Sequence, residues 1–144
     1  MTVVDASVAT KWFLYEEFSD EAIALTQTEM KLVAPTLAQY EVSGAIIRAL
    51  RQKLIDYEQA ESLLHRWLKA TATNVVRLDG DNRDIVRGSE MAHELGHPLK
   101  DCIYLAMAER LNIPLVTADA KFVKAARTKY KAATFIGDVP SLAA

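Results

Sequence analysis

The sequence predicts an α/β protein: one domain with a mostly parallel central sheet of about four or five strands, flanked by helices. Two patterns predict this. Short apolar runs alternate with longer stretches of helical spacing, as in a parallel sheet covered on both faces. The chain of 144 residues has only five Gly and four Pro, thinly spread, and shows no repeat, low-complexity tract or linker. Residues 1–144 therefore read as a single domain, long enough to bury a core without disulfide or metal support.

Each element has its own signal. Residues 2–5 are a short apolar run that ends in Asp5, as a buried strand would. Residues 6–15 and 19–30 read as helices, the second opened by Ser19 and Asp20. Lys31-Leu32-Val33-Ala34 is again short and apolar, and Pro35-Thr36 opens a long helix to about Leu54. Asp56 caps a helix that runs to about Ala70. Residues 74–78 read as a strand, and Asp81 to Leu95 as a helix stopped by Gly96 and Pro98. A helix over 100–111, a strand over 114–117, a helix over 119–130 and a strand over 133–136 complete the alternation.

Composition excludes several classes. Hydrophobic residues are 51% and charged residues 25%, which is unlike a disordered tail, a coiled coil or a collagen-like chain. No apolar run approaches the ~18 residues of a membrane span. The opening Met1-Thr2-Val3-Val4-Asp5 lacks a basic region, so a secretory signal is not expected and the cytoplasm is the default. The one cysteine, Cys102, excludes an internal disulfide and a cysteine-based zinc site, and reads as a small packing residue. Net charge is −2 but unevenly spread: residues 120–144 hold five bases (Lys121, Lys124, Arg127, Lys129, Lys131) and one acid. A basic stretch on an acidic body suits a phosphate-rich ligand, and equally a solvated helix face.

In open α/β sheets, ligands bind beyond the carboxyl ends of the strands. Asp5 ends the first strand there and Asp119 follows the fourth, on the same edge. Both could instead cap the next helix. Glu41 lies four residues after Leu37 and four before Ala45, on an apolar stripe of its helix. Asp101 lies four before Leu105 in a helix that is apolar over most of its circumference. Taken singly, Asp101 could be an N-cap and Glu41 a tolerated edge residue. Together, carboxylates on one edge would repel by ~3 kcal/mol per pair at ~5 Å and an effective dielectric of 20. A hard divalent cation makes sense of such a cluster, because Mg²⁺ and Mn²⁺ prefer oxygen ligands and commonly act on phosphates.

These residues carry a resemblance. Val3-Val4-Asp5-Ala6-Ser7-Val8-Ala9-Thr10-Lys11-Trp12-Phe13 resembles the opening of PIN-domain ribonucleases, in particular the VapC-type toxins of toxin–antitoxin modules. Pro35-Thr36-Leu37 with Glu41 resembles their second motif, Leu99 to Ala106 the third, and Pro114 to Phe122 the fourth. The match runs in the family's order from the first strand to about residue 122. The resemblance implies a single PIN-like domain with Asp5, Glu41, Asp101 and Asp119 as catalytic and metal-binding acids. Asp5 and Asp101 would be the most direct ligands of Mg²⁺ (or Mn²⁺). Ser7 and Thr117 match small hydroxyl positions that hydrogen-bond near the carboxylates. The implied reaction is endonucleolytic hydrolysis of RNA. The implied partners are an RNA substrate, a cognate antitoxin and a second copy of the chain in a homodimer. Lys100, Lys121, Lys124 and Arg127, with Arg83, are candidate RNA contacts on charge alone.

Rival signals are weaker. His93-Glu94-Leu95-Gly96-His97 is an HExxH string, the pattern of zinc metalloproteases, but Gly96 and Pro98 end its helix and no His follows His97. Asp5-Ala6-Ser7 could open an aspartyl-nucleophile loop of a haloacid-dehalogenase-like phosphatase, but Ser7 stands where a second Asp is needed. Trp12, Phe13, Trp67, Tyr104 and Phe122 read as core or interface residues. The non-enzyme alternative is a catalytically silent PIN-like module that binds RNA or protein.

Overall fold

A computed structural model describes residues 1–139. Five strands form one all-parallel sheet: β1 (Thr2–Val4), β2 (Leu32–Pro35), β3 (Val76–Asp79), β4 (Leu115–Thr117) and β5 (Ala133–Phe135), in the order β3-β2-β1-β4-β5. The helices are α1 (Ala6–Ala9), α2 (Ser19–Thr26), α3 (Leu37–Arg51), α4 (Tyr57–Ala72), α5 (Asn82–Leu95), α6 (Leu99–Leu111) and α7 (Ala120–Ala126). Every residue of the inner strands β1, β2 and β4 is buried, whereas the edge strands β3 and β5 are buried only in part. Register follows from this, with Val3 opposite both Val33 and Leu115.

The core is continuous from the sheet into the helices, and Trp67, Tyr104, Ile46, Met91 and Leu105 are among its largest fully buried side chains. Buried polar atoms are met locally. Trp67 donates its indole N–H to the Gln39 carbonyl at 3.1 Å and pins α4 to α3. Trp12 donates to the Ala22 carbonyl at 2.8 Å and pins the start of the chain to α2. Asp56 forms the expected cap, as a full capping box with Gln59. Gly96 ends α5 at φ 65°, a left-handed turn that only glycine takes without strain.

Several boundaries move from the sequence reading. The helix expected over 6–15 is α1 followed by a single 3-10 turn, Thr10–Trp12. The Ser19 hydroxyl then closes the loop, accepting from the Glu16 N–H and donating to the Leu14 carbonyl. Helix α2 stops at Thr26 and α7 at Ala126, earlier than expected. Thr26 and Thr128 donate side-chain hydroxyls back to carbonyls three residues earlier, and such bonds compete with helix continuation. The third strand starts two residues later than expected, because Asn74 turns through φ 59° after α4.

Candidate active site

The strand order places the topological switch point between β1 and β4. The chain leaves β1 toward β2 on one side, and β4 lies on the other side. Diverging connections open a crevice at the carboxyl ends of those two strands. Asp5 follows β1 and Asp119 follows Thr117, the last residue of β4. Both cap helices: Asp5 accepts from the Ser7 N–H at 3.0 Å, and Asp119 from the Phe122 N–H at 3.0 Å.

Two hydroxyls tie the strand ends together. Ser7 donates its O–H to Asp5 and accepts from the Ala118 N–H at 3.0 Å. Thr117 lies 3.3 Å from the same Asp5 oxygen and accepts from the Asp119 N–H at 3.2 Å. These bonds fix Asp5 from the side of both strands.

The other two acids come from helices. Glu41 lies on α3, and its side chain reaches two residues of α6. Its Oε1 accepts from the Tyr104 hydroxyl at 2.7 Å, and its Oε2 lies 3.9 Å from the Lys100 ammonium. Asp101 stands in the first turn of α6, where the helix dipole favours a carboxylate. It is not the N-cap: Pro98 occupies that position.

One open cavity of about 480 Å³ gathers Asp5, Ser7, Glu41, Lys100, Asp101 and Asp119. Its lining holds five carboxylates (these four and Glu16) against three cations, Lys11, Arg48 and Lys100. Burial raises the pKa of Asp5, with Asp101 adding to the rise and the Ser7 and Thr117 hydrogen bonds opposing it. Burial also raises Glu41 and Asp101, and each feels a neighbouring acid: Asp5 for Glu41, and Asp119 and Glu41 for Asp101. The crevice thus has too much negative charge for its own cations.

Among the described residues, no group of three or more His, Cys, Asp or Glu stands close enough to hold an ion as placed. Three of the carboxylates are engaged in hydrogen bonds of their own, Asp5 with Ser7, Glu41 with Tyr104 and Asp119 with the N-terminus of α7. The donor set nevertheless fits a hard divalent cation, being all oxygen with uncompensated charge. Asp5, Asp101, Glu41 and Asp119 are the residues that would hold it.

Of the basic residues singled out by charge, only Lys100 lines the cavity. Lys121 and Lys124 lie exposed on α7 outside its lining, and Arg127 donates to the Ala133 carbonyl at 3.0 Å. Arg83 is bound to Asp81 at 2.8 Å. The sequence reading missed Lys11 and Arg48, and it placed Tyr104 in the core without its polar role. Spacing could have found two of them, since Arg48 lies seven residues after Glu41 and Tyr104 three after Asp101. The HExxH string makes no metal site. Glu94 is bound to Lys129 at 2.9 Å and Tyr130 at 3.0 Å, while His97 packs on Phe122 with ring centroids 5.2 Å apart.

A parallel sheet with carboxylates at its switch point defines a class of α/β protein, and comparison gives the family. The model of the PIN domain matches residues 2–128, and the chain belongs to that family. No curated protein matches the chain by sequence. The solved structures that share its fold include the following two. One is a toxin–antitoxin complex from Klebsiella pneumoniae, with TM-score 0.66 and 15% identity, covering 94% of this chain and 98% of that one. The other is PAE2754 from Pyrobaculum aerophilum, with TM-score 0.64 and 22% identity, covering 98% of this chain and 93% of that one.

Proposed function

We propose that the chain is a metal-dependent endoribonuclease, a single PIN-like nuclease domain acting as the toxin of a toxin–antitoxin pair. The observation that carries this is the convergence of Asp5, Glu41, Asp101 and Asp119 on one crevice whose lining holds more carboxylates than cations. Family membership and the Klebsiella pneumoniae toxin–antitoxin neighbour support it. A polyanion would be repelled from such a crevice unless a divalent cation offsets the charge. Mg²⁺ or Mn²⁺, when bound, would polarise a phosphoryl oxygen and make a water nucleophilic at neutral pH.

The chain's own residues supply position. Ser7 and Thr117 hold Asp5 against the two strand ends. Tyr104 holds one oxygen of Glu41 and leaves the other facing the cavity beside Lys100. Lys100 sits at the rim, where it can contact an incoming phosphate. Asp119 and Glu41 would help to orient the attacking water. The partners in this reading are RNA, a cognate antitoxin that covers the crevice, and a second copy of the chain. The reading places the protein in the cytoplasm. No helix among the described residues is long and apolar enough to cross a membrane.

The test is cleavage of a cellular RNA pool by protein freed of co-purifying partners, with Mg²⁺, Mn²⁺ or chelator, beside Asp101→Asn. Discrete products that need metal and vanish in the variant are expected. Folded wild type that binds RNA or a small protein but cleaves under no metal would overturn the nuclease reading in favour of a silent binding module.

A further inference from the structure

The cavity extends well past the carboxylates. Its lining continues to Lys11, Leu14 and Glu16 beyond α1 and to Arg48, Gln52 and Leu54 at and after the end of α3, and these residues make a second lobe. Its two cations are unusual. The Lys11 side chain is 9% exposed, and its only ionic partner among the described residues is Glu16 at 3.1 Å, itself 46% exposed. Burying an ammonium is costly, and an apolar side chain would serve the core better if packing were its only role. Arg48 is exposed and pairs with no described residue, although it stands on the stripe of α3 that carries Glu41 into the cavity.

Two rulers give the two cations a similar backbone offset from the carboxylates. Lys11 lies six residues beyond Asp5 along α1 and its 3-10 turn, and Arg48 lies seven beyond Glu41 along α3. At about 1.5 Å per helical residue, both offsets are roughly 10 Å. At that backbone offset the two cations are better placed for a phosphate next to the one at the carboxylates than for that one itself.

We propose that this lobe is a second phosphate subsite, in which Lys11 and Arg48 hold the phosphate of a nucleotide neighbouring the scissile one. Leu14 and Leu54 supply apolar surface for its sugar or base. Glu16 occupies the Lys11 ammonium in the free protein and is displaced by the phosphate, so it weakens binding. Lys11 and Arg48 are positioning residues that act on affinity and register, at a distance from the reacting atoms. The proposal rests on the nuclease reading and adds to it a required length of RNA.

The experiment is steady-state cleavage of a single-stranded RNA with Mn²⁺, read as KM and kcat across a salt series. Lys11→Met and Arg48→Met should each raise KM about tenfold, the worth of one charge-assisted hydrogen bond, with kcat nearly unchanged. Each should flatten the dependence of log KM on log salt by about 0.7. Glu16→Gln should lower KM, an effect that impaired folding would not produce. A neutral methylphosphonate at the linkage beside the scissile one should raise KM for wild type, raise it less in Lys11→Met or Arg48→Met, and add nothing when both are replaced. Wild type that cleaves while the variants keep its KM and salt slope would overturn the subsite alone. A full methylphosphonate penalty persisting in both variants would do the same. So would variants that lose binding of an acidic peptide and spare RNA, which would give the lobe to a protein partner. Wild type that cleaves nothing would overturn the nuclease reading and the subsite with it.

Discussion

Tyr104 shows how a single buried group can control a carboxylate of the crevice. Its hydroxyl lies in the core yet donates to Glu41 at 2.7 Å, and that bond lowers the Glu41 pKa against the rise caused by burial. Tyr104→Phe should therefore raise the Glu41 pKa further and move the acid limb of the activity profile to higher pH. It should also cost about 1–3 kcal/mol of stability, because the Glu41 carboxyl is left one partner short. A pH–rate profile beside a denaturant melt checks both effects. Asp101 gives a complementary prediction. A carboxyl whose pKa is raised by folding contributes stability that is full below its unfolded value, 3.8 here, and is lost as pH rises through the folded value. Metal-free Asp101→Asn should thus melt above wild type at pH 7, with the gap closing toward pH 4. A variant that is no more stable than wild type at pH 7 would argue against charge crowding in the crevice.

At the scale of elements, the site depends on how α6 is held. Helices α5 and α6 pack so closely that a Cβ on Gly88 would lie 3.2 Å from the Ile103 nitrogen and 3.3 Å from the Cys102 carbonyl carbon. These are backbone atoms of the helix that carries Lys100, Asp101 and Tyr104. Gly88→Ala gains about 1 kcal/mol of helix propensity but faces overpacking of about 1–3 kcal/mol. A net loss of stability is expected in thermal melts, with a shift of α6 that also lowers activity. At the other end of α6, Arg110 grips the buried Asp84 through two bonds of 2.8 and 2.9 Å. Arg110→Met would leave that carboxylate buried and unpaired. It should cost about 3–5 kcal/mol, read by urea unfolding.

Elements also show what the sequence could and could not reveal. Strand runs such as Thr2-Val3-Val4 were legible because burial on both faces demands uninterrupted apolar residues. The caps Asp56 and Asp119 were legible because a short acid before a helix has a local partner. The early end of the first helix was not, because no Gly or Pro marks it and the Ser19 hydroxyl that closes the loop acts across five residues. The acids of the crevice were found from strand ends and apolar stripes. The bond between Tyr104 and Glu41 spans 63 residues, and no local pattern announces it. Lys11 was hidden for a similar reason: only the closed fold shows its side chain buried against the cavity.

The whole molecule converts topology into charge. Reversal of strand order at β1 and β4 opens a crevice, and the helices that leave or approach it deliver carboxylates from four separate parts of the chain. Core packing holds them there despite their mutual repulsion, which is stability given up in the free protein. A divalent cation should return it. The measurement that tests this most directly is a Mn²⁺ titration of the purified protein at pH 7, followed by calorimetry and by melting temperature, beside Asp101→Asn. The account predicts saturable binding that raises the melting temperature of wild type and is lost in the variant. No saturable Mn²⁺ binding, or binding that Asp101→Asn leaves unchanged, would contradict it.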